Sequence, residues 1–220
     1  MGSLTPFLQR EFARHCPADW ACRCETALLP LGLARLLGFT PRADVLLEQR
    51  DGSRRLWIEF EVSRADPVAN HAKFATAHLF SPQTPTDTFV AMVSPHVTRG
   101  RRNLGAATIA LMRHVGMDAF QTALLPHLSA TEVQRLNYAS PKQLDYERLR
   151  TENELHRALQ IVEPIASLPG LRIHLAGDLF SVMLNVRQWN QDLATNTGAV
   201  SWGTRTVTYF VCDPRSGPIL

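Results

Sequence analysis

The sequence predicts an α/β domain. Four short runs with strand character, over 43–49, 56–63, 88–94 and 119–125, alternate with stretches of helical period. A proline-headed helix start sits between the second and third runs. No Gly/Pro-rich linker interrupts the 220 residues. We therefore expect one domain over 1–220, with a core at about 20–126 and a C-terminal α/β elaboration over 127–220.

The elements follow in order. The first 38 residues read as helical, broken near Pro17 and Pro30, with Gly38 as a C-terminal stop. Ala43–Gln49 is a short strand, and Arg50-Asp51-Gly52-Ser53 carries the Asp-Gly hairpin signal. Leu56–Ser63 alternates cleanly, with Trp57, Glu59 and Glu61 on one face and Ile58, Phe60 and Val62 on the other. Asp66 is the expected N-cap and Pro67 the first position of a helix running to about Phe80. Ser81–Asp87 is a loop and Thr88–Ser94 a strand. Pro95–Arg102 reads as a basic loop, with Asn103 as N-cap of a helix reaching about Val115. Ala119–Leu125 is a strand, so residues 20–126 give the order α-β-β-α-β-α-β. Residues 130–165 are expected to be helical and charged, Asp178–Asp192 a helix, and Thr206–Cys212 a late strand.

Composition narrows the function. Hydrophobic residues make up 45% and charged residues 20%, which excludes wholesale disorder. No apolar run approaches the ~18 residues of a membrane span, and Met1–Leu8 lacks the pattern of a secretory signal. We expect a cytoplasmic protein with reduced thiols. Cys16, Cys22, Cys24 and Cys212 match neither a zinc knuckle nor a CxxC redox site, although His15 beside Cys16 leaves a metal cluster open. All but two of the 23 basic residues are arginine, the exceptions being Lys73 and Lys142. A GC-rich genome explains this bias, and so does contact with phosphates or bases. The motifs GxGxxG, GxxxxGK[ST], HExxH and GxSxG are absent.

The chemistry concentrates in Pro41-Arg42-Ala43-Asp44 and Ile58-Glu59-Phe60-Glu61. Glu59 and Glu61 are two residues apart and share a strand face; Asp44 starts the preceding strand of a hairpin. Three carboxylates can thus converge at one end of a small sheet. Such groups raise one another's pKa unless a cation sits among them. Mg²⁺ suits this role, because it takes oxygen ligands and needs only one or two carboxylates. The same alternation also fits the solvated face of an edge strand, paired with Arg54, Arg55 or Arg64.

A helix, a strand carrying Asp, a hairpin, a strand reading hydrophobic-Glu-x-Glu, then a helix and a strand: this pattern resembles the PD-(D/E)XK nuclease superfamily, which includes many type II restriction endonucleases. The resemblance covers about residues 20–126 and implies a restriction-endonuclease-like α-β-β-β-α-β core, a mixed sheet flanked by helices. It also implies a Mg²⁺-dependent endonuclease that cuts double-stranded DNA and leaves 5′-phosphate and 3′-hydroxyl ends. Asp44 and Glu59 would hold the metal. Glu61 stands where the family usually has Lys, although some of its restriction enzymes carry Glu there. Lys73, on the following helix, is the candidate for a migrated catalytic lysine, and Asn70 or His71 could share the site. Glu25, 19 residues before Asp44, matches the upstream helix Glu that some members use as an extra metal ligand or brace; Glu11 fits less well. A chain of this size suits a homodimer, since cutting both strands of a palindrome wants two-fold symmetry. The alternatives are a non-catalytic DNA-binding or defence protein on a degenerate nuclease fold, a repair or recombination nuclease, and an unrelated α/β enzyme.

Two segments are candidates for DNA contact. Residues 88–117 contain no acidic residue and place Arg99, Arg101 and Arg102 before a helix. Residues 195–206 hold Trp202 and Arg205 in a loop of small polar residues that could enter a groove.

Overall fold

A computed structural model describes residues 2–63, 67–145 and 149–161, with four further strands and short stretches between 182 and 200. The architecture is mixed α/β. Helix α1 (Leu4–His15) leads into β1 (Trp20–Ala27), α2 (Leu31–Leu37), and the hairpin β2 (Arg42–Gln49) and β3 (Arg55–Glu61). Then come α3 (Pro67–Phe80), β4 (Asp87–Val93), α4 (Arg99–His114), β5 (Asp118–Ala123), α5 (Ala130–Tyr138) and α6 (Thr151–Leu159).

The five strands form one sheet in the order β1-β2-β3-β4-β5. β1, β2 and β3 run antiparallel, while β3, β4 and β5 run parallel. The hairpin turn holds Gly52 at φ 73°, a left-handed conformation that glycine adopts without steric cost. The parallel pairings need crossovers, which α3 and α4 supply. A second sheet, in the order β6 (Ser167–Leu168), β7 (Leu171–Ala176), β8 (Thr206–Asp213), β9 (Gly217–Ile219), follows in the C-terminal part.

Two apolar layers set the orientation of β3. On one face, Leu4, Leu8 and Phe12 of α1 pack with Val45, Leu47, Ile58 and Phe60, and with Val133 and Leu155 from α5 and α6. Phe12 and Phe60 meet edge-on, with ring centroids 5.0 Å apart. On the other face, Phe74 of α3 and Ile109 and Met112 of α4 cover Phe89, Ala91 and Val93 of β4. Each large side chain so buried contributes roughly 1.5–3 kcal/mol. Because Ile58 and Phe60 are committed to the α1 face, the pleat turns Glu59 and Glu61 toward α3.

Three expectations are corrected. Residues 20–27 form a strand, where a helix was expected, and this adds a β-strand ahead of the hairpin. Helix α4 begins at Arg99 with Thr98 in the N-cap position, so Asn103 is not its cap and Arg99, Arg101 and Arg102 lie in its first turn. β3 is the central strand of its sheet, and Glu59 and Glu61 are 6% and 4% exposed, which removes the solvated edge-strand reading. Pro67 does open α3, but its predicted N-cap Asp66 lies outside the described residues, as does most of the predicted helix 178–192. The late strand at 206–212 is present as β8. Among the described residues, no helix is long and apolar enough to cross a membrane.

Candidate functional site

The site lies where β2 and β3 part. Their pairing runs from Glu48 opposite Arg55 to Val45 opposite Ile58. One step further, Asp44 has no backbone partner in that ladder. Its carboxylate takes over, and Oδ2 accepts the Phe60 backbone N–H at 2.7 Å. β3 continues beyond this point in register with β4 alone, pairing Glu59 with Ala91 and Glu61 with Val93. Alternation across an antiparallel pair then places Asp44 beside Glu59 on the face toward α3.

The electrostatics bear out this crowding. Burial raises the Asp44 carboxyl to about 6, with Glu25 adding to the rise and the Phe60 N–H and Lys73 opposing it. Glu59 is pushed further, to about 10. Burial is the main cause, followed by the charges of Asp44 and Glu61; Glu25 adds to them and Lys73 opposes. Asp44, Glu59, Glu61, Glu25 and Lys73 therefore sense one another as a group. Carboxylates perturbed by burial and by charged neighbours cluster at functional sites.

Glu25 does not sit on a helix, as the sequence suggested, but on β1. It adopts φ 51°, a left-handed conformation that costs a non-glycine residue of order 1–3 kcal/mol and that clusters at functional sites. Its Oε1 accepts from Gln9 Nε2 at 2.7 Å, and the same amide nitrogen donates to the Asp44 backbone carbonyl at 3.1 Å. Gln9 is a buried polar residue on the core-facing side of α1. It ties α1 to both β1 and β2 at the site, and sequence reasoning missed it. Glu11 takes no part and pairs with Arg14 and His15 instead.

Helix α3 supplies the other wall. Asn70 Nδ2 donates to Glu61 Oε1 at 2.9 Å, and Lys73 Nζ donates to Asn70 Oδ1 at 3.0 Å. His71, by contrast, is fully buried and packs edge-on against Phe89, 5.5 Å between ring centroids. Of the two candidates beside Lys73, Asn70 bonds the Glu61 carboxylate and His71 packs into the core.

The arginines lie at the same end of the sheet. Ser94 follows β4 and donates its backbone N–H to the Glu61 carbonyl at 3.0 Å. The chain then enters α4, whose first turn bears Arg99, Arg101 and Arg102 at the carboxyl end of the parallel strands. That end is where open α/β sheets bind ligands. Trp202 and Arg205 lie outside the described residues.

Among the described residues, no group of three or more His, Cys, Asp or Glu side chains is arranged to hold a metal ion. Cys16, Cys22 and Cys24 are free thiols, and burial pushes Cys22 up to about 12. The donor set that does suit a hard cation is the pair Asp44 and Glu59. It is all oxygen and partly desolvated, and two carboxylates are enough for Mg²⁺. Comparison with family models, with curated proteins and with solved structures returns no match.

Proposed function

We propose that this chain is a Mg²⁺-dependent DNA endonuclease of the PD-(D/E)XK type. The observation that carries the reading is that the half-buried Asp44 and the buried Glu59 lie together, both raised in pKa, at the point where the β2–β3 ladder ends. The order α1-β1-α2-β2-β3-α3-β4 supports it in part: β1 adds a third strand ahead of α3, and the short helix α2 between β1 and β2 departs from the α-β-β-β-α-β succession that the resemblance implies.

Asp44 and Glu59 would hold the cation. When bound, Mg²⁺ polarises the phosphodiester and lowers the pKa of water. Glu61 orients the attacking water and accepts its proton at a carboxylate oxygen, while the P–O3′ bond breaks and the departing 3′-oxygen takes a proton from solvent. Lys73 brings positive charge toward the phosphate oxygens on which negative charge develops. Gln9 and Glu25 brace the start of β2 and so fix where Asp44 points. Arg99, Arg101 and Arg102 meet flanking phosphates at the N-terminus of α4. The substrate is double-stranded DNA, and a homodimer of the type II restriction kind would present two such sites to the two strands. One feature favours a second reading, DNA binding without cleavage: Glu61 occupies the position where the superfamily usually has Lys.

Incubation with unmethylated plasmid and phage DNA, in Mg²⁺ or in EDTA, separates the two. Discrete Mg²⁺-dependent fragments with 5′-phosphate ends are expected. A smear retains the nuclease and removes the site-specific label. DNA retained in gel shifts but uncut in either Mg²⁺ or Mn²⁺ overturns the nuclease reading and leaves the binding protein.

A further inference from the structure

Asn70 bridges two groups of unlike chemistry. A carboxylate only accepts hydrogen bonds and an ammonium only donates them. The amide therefore has one workable orientation, Nδ2 on Glu61 Oε1 and Oδ1 on Lys73 Nζ, and that is the orientation found. A turned amide would face donor with donor and acceptor with acceptor. Lys73 is exposed and carries a long flexible stem, so its own backbone does not fix where Nζ lies. Nonetheless its charge reaches both Asp44 and Glu59. Asn70 and Lys73 are three residues apart on α3 and thus neighbours on one helix face.

We propose that Asn70 is a positioning residue of this site. It clamps Glu61 and holds the Lys73 ammonium within range of Asp44 and Glu59, so that Glu61, Asn70 and Lys73 together stand in for one strand lysine. This rests on the nuclease reading for its purpose, but the clamp itself can be tested without cleavage.

The chain has only two lysines, Lys73 and Lys142. Reductive ¹³C-dimethylation gives each a distinct resonance and leaves one N–H on each ammonium. Lys142 is exposed and serves as the internal control. The Lys73 resonance is expected to shift in Asn70→Ala, with Lys142 unmoved. Glu61→Ala is expected to shift it too, because the released amide can turn, and to add no further shift once Asn70 is alanine. A Lys73 resonance indifferent to Asn70→Ala overturns the proposal. So does a Glu61→Ala shift of equal size with and without Asn70.

In Mg²⁺-dependent cleavage, Asn70→Ala is expected to lower kcat about ten- to hundredfold with KM changed by about twofold or less. A loss confined to KM contradicts a positioning role. If the wild-type protein cuts nothing, the nuclease reading falls, and the resonances still decide whether the clamp exists.

Discussion

Glu59→Gln is expected to abolish Mg²⁺-dependent cleavage, by about a thousandfold or more, and to stabilise the protein at the same time. The two effects share one cause. Glu59 is 6% exposed and lies beside Asp44 and Glu61. Without a cation, the folded chain must keep this carboxyl protonated or bury a crowded charge. Its pKa rises from an ordinary 4.5 to about 10 on folding. A folded-state pKa above the unfolded one gives a contribution that is fully present below about 4.5 and is lost as pH rises toward 10. Glutamine has the same shape and no proton to lose. In EDTA the variant should therefore gain about 1–3 kcal/mol over wild type near pH 8, a rise in Tm of roughly 3–8 °C. The gap should shrink toward pH 5. Thermal melts across that range, beside cleavage assays, check both halves. A variant that loses activity and stability together would make Glu59 a structural residue.

Cation binding should release protons and tighten steeply with pH. To take Mg²⁺, the pair must shed whatever protons it holds. With Asp44 raised to about 6 and Glu59 to about 10, about one proton leaves per ion bound between those values, and up to two below the lower one. Affinity should then rise about tenfold per pH unit from pH 6 to 9. Calorimetry in buffers of different ionisation enthalpy counts the protons directly. Affinity independent of pH over this window would place the ion elsewhere. Glu59→Gln should remove both the binding and the proton release.

The sequence made some of this legible and hid the rest for physical reasons. The hairpin was readable because its signals are local: an Asp-Gly turn and an apolar alternation that commits Ile58 and Phe60 to one face. That alone put Glu59 and Glu61 together. What alternation could not say was whether their face is wet, which depends on β4 pairing along β3 and α3 closing over it. β1 was hidden because it is an edge strand with little burial, and its Ala, Arg and Glu residues permit a helix; pairing with β2 decides its state. The start of α4 was misplaced because Gly100 among three arginines looks like loop chemistry. Gln9 carried no local signal, since its two partners come from β1 and β2. Asn70 and His71 were equal candidates to share the site, because position on α3 alone does not say which of them faces β3; the geometry puts Asn70 on Glu61 and His71 against Phe89 in the core.

The function proposed for this chain depends on Asp44 and Glu59 forming a cation site. Crystals soaked in Mn²⁺, with anomalous diffraction collected for wild type and Glu59→Gln, test it most directly. An anomalous peak is expected at the Asp44 and Glu59 carboxylates in the wild type and none there in the variant. A wild-type crystal with no peak at that pair, or with the same peak in both proteins, would contradict it.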